Sequence, residues 1–192
     1  KENDNGMMQR SIVYPCMIFS IKIYTMKQIN NFLDERDFAL IENTFTNSPG
    51  LSDIAWFYST KVGTETEIDN LNHSYFVHTL YDNHASRSDL LNVIQPLLKK
   101  LEVKSLIRAK VNLFLRTEQL YKFDLHQDYP FEAKAAILYL NTCNGGTFLE
   151  DKENPFTQSV RNRLLKFKTN EAHQSTSCTD RKFRMLINLN YF

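Results

Sequence analysis

The sequence is poor in the residues that break, bend or cross-link a chain. Five glycines and five prolines stand among 192 residues, against 14 Phe and 9 Tyr. That ratio favours a well-packed core with substantial β-structure. Hydrophobic residues make up 42% and charged residues 23%, which excludes a disordered chain. Only three cysteines occur, Cys16, Cys143 and Cys178. An odd number with no close pair in sequence and no zinc-like spacing argues against a disulfide framework. It favours a reducing, cytoplasmic setting. No apolar run of roughly 18 residues exists, so no membrane-spanning helix is expected. The most apolar early stretch, Ile12 to Tyr24, carries Lys22 and lacks a small-residue cleavage site, so it reads as a strand and not as a signal peptide. An excess of one charge is also missing. Lys plus Arg number 23 and Asp plus Glu 22, a net +1. Phosphate binding usually shows as a basic surplus, so neither nucleic acid nor a membrane is an expected partner. No repeat, low-complexity tract or linker divides the chain, which predicts one domain over 1–192.

What is present is periodicity of two kinds. Ile29, Phe32, Leu33, Phe38, Leu40, Ile41 and Phe45 recur at helical spacing, predicting a helix over 26–45, with Asp34 a cap for a second segment inside it. Thr46 to Gly50 ends it. Leu90, Leu91, Ile94, Leu97, Leu98 and Leu101 predict a second helix over 86–103, capped by Ser86 or Ser88 and disturbed at Pro96. Strands are predicted at Ile54–Ser59 and Tyr75–Tyr81, with Trp56 and Phe57 packed in the core. The second half alternates. Ile107, Ala109, Val111, Leu113 and Leu115 share one face, while Arg108, Lys110, Asn112, Phe114 and Arg116 share the other. The last segment repeats this, with Met185, Ile187, Leu189 and Tyr191 opposite Arg184, Leu186, Asn188 and Asn190. Two such strands suit a barrel or sandwich with a polar interior, or a plain sheet with one solvated face.

The most informative triplet is His126-Gln127-Asp128. In a strand, residues i and i+2 point the same way, so this imidazole and this carboxylate can converge on one ion. The bland alternative is a solvated His and Asp on a surface strand. A third ligand must come from elsewhere, and His173 lies 45 residues after Asp128, beyond a strand predicted over Arg163–Lys168. Arg184 follows 11 residues later. His73, His78 and His84 read as structural or surface residues.

This ordered set resembles the Fe(II)- and 2-oxoglutarate-dependent dioxygenases, in particular the prolyl-4-hydroxylase-like branch and its small bacterial and phage members. Ala135 to Asn141 resembles the strand after the H-x-D motif. Asn144-Gly145-Gly146-Thr147-Phe148-Leu149 resembles the family's glycine turn and following strand, with a positive φ expected at one glycine. Arg184 to Asn190 resembles the arginine-bearing last strand. The resemblance covers 106–192. It implies a double-stranded β-helix, a cupin-like jelly roll over 105–192, with a helix-rich supporting part over 1–104 packed on the major sheet. It implies His126, Asp128 and His173 as metal ligands and Arg184 as the anchor of the 2-oxoglutarate carboxylate, with Arg181 and Lys182 as rivals. Asn188, Asn112 and Tyr139 would line the co-substrate. The implied cofactors are Fe(II), 2-oxoglutarate and O2, with ascorbate a candidate reductant. The implied activity is hydroxylation of a peptidyl-prolyl residue or a small molecule. An alkylated-nucleobase demethylase, a non-catalytic cupin-like domain and a zinc hydrolase are the competing readings.

Charge is uneven. Val160 to Arg184 holds seven basic and two acidic residues, a surplus of five, leaving the remainder at −4. This segment brackets His173 and predicts either a basic rim that attracts an anionic co-substrate or acidic substrate, or a solvated strand face. Specificity is expected in Lys61–Asn72 and Asp151–Ser159.

Overall fold

A computed structural model describes residues 27–47, 50–61, 72–150 and 155–192. The strand expected at Ile12–Tyr24 and most of the Lys61–Asn72 loop lie outside them. The order of elements is β1 (Lys27–Ile29), α1 (Glu35–Thr46), α2 (Gly50–Asp53), β2 (Phe57–Ser59), β3 (Tyr75–Asp82), β4 (Ala85–Ser86), a 3₁₀ helix (Asp89–Ile94), α3 (Gln95–Lys100), β5 (Leu106–Leu115), β6 (Lys134–Tyr139), β7 (Gly146–Leu149), β8 (Phe156–Gln158), β9 (Arg163–Lys168), β10 (His173–Ser175) and β11 (Phe183–Tyr191).

Two antiparallel sheets face each other in a jelly roll. The major sheet runs β1-β9-β6-β11-β5-β3-β2, with β4 on β3, and the minor sheet runs β10-β7-β8. The segment leading to the H-x-D motif borders β10, through Lys122 opposite Thr176 and His126 opposite His173. β11 is the central strand. It pairs with β5 over Phe183–Tyr191 and with β6 over Leu186–Tyr191. Its two faces divide the protein. Met185, Ile187, Leu189 and Tyr191 join Ala109, Val111 and Leu113 of β5 in a core covered by Phe38, Ile41 and Phe45 of α1 and Leu97 and Leu98 of α3. The opposite face, with Leu186, packs with Tyr75, Phe114, Phe123, Ile137, Tyr139 and Leu165 between the sheets. The helices therefore clad the major sheet from outside. Each fully buried aliphatic side chain in that layer contributes about 1.5–3 kcal/mol relative to exposure.

The helical periodicity over 26–45 overreaches. Lys27–Ile29 is a strand on the sheet edge, paired with Leu164–Lys166 of β9, and the helix begins only at Glu35 after Asp34. Phe32 and Leu33 are buried because a turn carries them onto the sheet. There Asn162, itself at φ 58°, accepts from the Leu33 N–H at 2.9 Å and donates to the Leu33 carbonyl at 2.8 Å. The helix expected over 86–103 is shorter and in two parts. Ser88, not Ser86, caps the 3₁₀ helix by accepting from the Leu90 N–H. Pro96 sits in the first turn of α3, where a missing N–H costs nothing. Trp56 is half-buried and Phe57 is 64% exposed, so the second is not a core residue. Within Asp151–Ser159, expected to be a loop, Phe156–Gln158 is a strand. Among the described residues no helix is long and apolar enough to cross a membrane.

Candidate active site

His126 and His173 are 47 residues apart in sequence and directly opposite in space. Each N–H donates to the other's carbonyl, at 2.9 and 2.8 Å. Their rings stand 4.4 Å apart between centroids. Each Nδ1 lies 3.0 Å from the backbone carbonyl two residues earlier, Asp124 for His126 and Glu171 for His173. A carbonyl only accepts, so Nδ1 carries a proton in both rings, and Nε2 is the nitrogen that each ring has left for a metal. Burial and the neighbouring His173 hold the His126 pKa down at about 4, which keeps that ring neutral near pH 7. Asp128 faces the same point. One ligand atom from each of His126, Asp128 and His173 lies within 4.8 Å of the others.

Asp128 is held at both oxygens. Arg108 donates to Oδ1 and Asn190 donates to Oδ2, each at 2.8 Å. Burial opposes ionisation of this carboxyl. The charges of His173, Arg108 and Lys110 and the Asn190 hydrogen bond outweigh it and hold the pKa at about 2. The carboxylate is thus fixed, ionised and aimed, as a metal ligand requires.

The three side chains open into a cavity of about 480 Å³. Arg108, Lys110, Asn112 and Phe114 of β5 form one wall, Leu186 and Asn188 of β11 the next, and Ser175 of β10 continues the His173 face. The alternation read from the sequence therefore describes the cavity wall. Asn112 and Asn188 are 7% and 6% exposed, and the Oδ1 of each has no protein partner.

Arg184 lies behind this wall, fully buried. Its guanidinium donates to the Thr176 carbonyl at 3.0 Å, to Thr147 Oγ1 at 3.1 Å and to Ser175 Oγ at 3.4 Å, while Nε has no partner. It lies over the rings of Phe114 and Tyr139 at 5.2 and 5.5 Å. Burial pushes its pKa down from the ordinary arginine value. Tyr139 is buried beside it and donates to Thr147 Oγ1 at 2.9 Å. Burial raises the Tyr139 pKa, so the phenol stays protonated. Arg181, the rival anchor, does not reach the cavity. It is exposed and donates to the carbonyl of Asp180. Lys182 is exposed as well.

The two glycines do not act through backbone freedom, since neither lies in the left-handed region. They are where side chains have no room. A Cβ on Gly145 would stand 2.1 Å from the Ser177 carbonyl oxygen and 3.0 Å from Arg184 Cδ, and one on Gly146 would stand 2.2 Å from the Thr157 oxygen. The same close approach brings Cys143 against Cys178. Both are free and buried, and the hydrogen bond between their thiols holds Cys143 below the ordinary thiol pKa. Sequence spacing gave no sign of that pair.

The remaining histidines serve structure. His73 pairs with the Tyr121 hydroxyl at 3.0 Å. His78 bridges the Ala55 carbonyl and Ser88 Oγ, both at 2.9 Å. His84 is exposed in a turn at φ 60°. Sequence reasoning placed Arg108, Lys110 and Asn190 on the polar faces without giving them roles, and it missed Thr147 and Ser175. Inward parity on β5 and β11 is the signal that singles out the first three.

No protein-family model matches the chain, and no curated protein matches it in sequence. Solved structures do. The chain is similar to a prolyl hydroxylase of Trichoplax adhaerens, solved with a peptide fragment of the hypoxia inducible factor oxygen degradation domain. That match has TM-score 0.64 and 16% identity, covering 87% of this chain and 83% of that one. It is similar to a 2OG-Fe(II) oxygenase family oxidoreductase of Burkholderia pseudomallei, with TM-score 0.61, 11% identity, and 86% and 84% covered. A non-haem α-ketoglutarate-dependent epimerase of nogalamycin biosynthesis matches at TM-score 0.56, 14% identity, with 87% and 77% covered. At such identities the likeness establishes the fold. It is the fold of the Fe(II)- and 2-oxoglutarate-dependent oxygenases, prolyl hydroxylases among them.

Proposed function

We propose that the whole chain is one Fe(II)- and 2-oxoglutarate-dependent oxygenase unit that hydroxylates a peptide-borne or free substrate. The observation that carries this reading is the convergence of two imidazole Nε2 atoms and one clamped carboxylate on a cavity wall that continues, through Ser175, to a buried arginine.

The donor set fits a ferrous ion, since two imidazoles and one carboxylate leave coordination positions open for other ligands. One orphaned polar atom fits the co-substrate. Arg184 Nε is a buried donor without a partner, which a carboxylate of the co-substrate relieves, whereas the Oδ1 atoms of Asn112 and Asn188 only accept and call for a donor from another ligand or water. Bound iron and 2-oxoglutarate supply the oxidising chemistry: one atom of O2 enters the substrate as hydroxyl, and the other leaves in succinate as CO2 is released. The chain's residues do the rest. His126, Asp128 and His173 hold the ion. Asn190 and Arg108 fix the direction of the Asp128 carboxylate. Arg184 receives the far carboxylate of 2-oxoglutarate, with Tyr139 and Thr147 fixing the guanidinium. His173 and Ser175 stand on one face of β10, two residues apart or roughly 7 Å along the strand, a span suited to a five-carbon diacid. Phe114, Ile137 and Leu186 keep water from the enclosed end. Ascorbate would restore iron oxidised in turnovers without substrate.

The test is succinate formation from Fe(II), O2 and 2-oxoglutarate, together with the thermal shift that Fe(II) and 2-oxoglutarate produce. Both should occur with the natural chain and both should vanish in His126→Ala. A natural chain that shows neither overturns the reading.

A further inference from the structure

The cavity has more positive charge than its metal centre uses. Among the described residues that line it Asp128 is the only carboxylate, and Arg108 is already paired with it at 2.8 Å. Two further cations line the same space, Lys110 from β5 and Lys61 from beyond β2. Lys110 is half-buried. Its ammonium lies 5.8 Å from the centre of the Tyr75 ring, and among the described residues it has no carboxylate partner. Its charge bears on Asp128, but without an ion pair of its own it is free to receive a further anion.

The co-substrate does not supply that anion. The two charges of ferrous iron and of 2-oxoglutarate cancel, so binding both leaves the surplus in place. Position separates the roles too. Lys110 stands opposite Asn188 in the β5–β11 register, two residues from the Asn190 that holds Asp128. Arg184 stands opposite Phe114, four residues farther along the strand and at the enclosed end. Lys110 is therefore at the metal end, where a substrate must present the bond to be oxidised.

Resting on the oxygenase reading above, we propose that the substrate carries an anionic oxygen group, a carboxylate or phosphate, and that Lys110 receives it with Lys61 beside it. The tyrosine face under Lys110 limits its freedom, so little order is lost when the anion binds.

The experiment uses matched pairs that differ in charge and little in shape: L-aspartate with L-asparagine, L-glutamate with L-glutamine, and O-phospho-L-serine with L-serine. Each is titrated into the protein loaded with Mn(II) and 2-oxoglutarate, free and as its N-acetyl amide, so that a free small molecule is distinguished from a residue in a peptide. Binding is read by calorimetry. At least one acidic member should bind ten-fold or more tighter than its neutral partner. Lys110→Gln should erase that preference, and Lys110→Arg should keep it. Half-saturation by 2-oxoglutarate in Lys110→Gln should move far less than the acidic probe's does. No preference for any acidic member overturns the proposal, as does a preference that survives in Lys110→Gln. A larger effect on 2-oxoglutarate than on the probe also overturns it, because Lys110 would then serve the co-substrate. Succinate formation without any probe is measured first. Its absence sinks the oxygenase reading itself, whereas succinate without acidic preference sinks the substrate assignment alone.

Discussion

Asn190 offers a clean separation between holding the fold and holding the ligand set. It is fully buried, it donates to Asp128 Oδ2 at 2.8 Å, and its own Oδ1 has no partner. In Asn190→Ala the metal-free protein loses a hydrogen bond to a charged group, worth about 1.5–3 kcal/mol. It also loses a buried, unsatisfied carbonyl whose desolvation costs about 1–3 kcal/mol. These nearly offset. The net destabilisation should be on the order of 1 kcal/mol, a fall of about 2–4 °C in Tm for a chain of this size. The metal sees only the loss. Removing an outer partner of a ligating carboxylate typically weakens metal affinity about 10- to 100-fold. Calorimetric titration with Mn(II), beside thermal unfolding of the metal-free form, should show a large change in the first and a small one in the second. Affinity within two-fold of the natural chain would refute the positioning role. A Tm lowered by more than about 10 °C would show instead that Asn190 is a core staple, since that exceeds the estimate several-fold.

Three further outcomes follow from the same geometry. Gly145→Ala puts a Cβ 2.1 Å from the Ser177 oxygen and 3.0 Å from Arg184 Cδ. Relief requires backbone movement costing about 1–3 kcal/mol, so Tm should fall and half-saturation by 2-oxoglutarate should rise; an unchanged Tm would contradict the contact. Arg184→Gln should abolish the thermal shift given by 2-oxoglutarate on the Fe(II)-loaded protein, and Arg181→Ala should leave it within the error of measurement. The reverse pattern would move the anchor to Arg181. Asn162→Ala breaks both hydrogen bonds to Leu33 and puts alanine at φ 58°. With about 1 kcal/mol for each bond and about 1–2 for the backbone, urea unfolding should report a loss of about 3–4 kcal/mol.

How much of this the sequence discloses depends on whether one period governs a segment. β5 and β11 obey a single period of two, because one face meets the helices and the other meets the cavity. Their inward sets, Arg108 to Phe114 and Arg184 to Asn190, are therefore readable from alternation alone. The ligand pairing is less direct. Nothing local brings His126 to His173, and only the resemblance in order and spacing joined them; the backbone rung between them is a tertiary fact. The segment before Glu35 misleads for a definite reason. Ile29, Phe32 and Leu33 are apolar because a strand and a turn lie on the sheet, yet their spacing matches a helix in phase with Phe38 and Ile41. Glycine chemistry misleads in the same way. A Gly-Gly pair suggests a left-handed turn, whereas here the requirement is crowding by carbonyl oxygens from elsewhere in the chain.

Charge is the property that sequence windows carry least well, and strand parity explains why. The basic surplus over 160–184 predicts a rim around His173, but most of its side chains are engaged elsewhere or point away. Arg161 is bound by Glu35 and Glu42, Arg163 by Asn30, and Lys168 by Glu132, while Arg181 and Lys182 face solvent. Arg184 is the one of them that is fully buried, behind the cavity wall. Two of the cations that line the cavity wall, Arg108 and Lys110, come from β5, where they alternate with Ala109 and Val111; the window 99–116 around them carries a surplus of five as well, the same as 160–184. Equal sums therefore do not tell the two segments apart; inward parity on β5 does, because it sets Arg108 and Lys110 on the cavity face. Arg108 is then consumed by Asp128, and Lys110 is not. An alternating strand thus supplies one cation to the ligand clamp and, two residues on, a second to the space in front of it. That division of labour is what ties the identity of the substrate to the sequence of β5 rather than to the basic segment around His173.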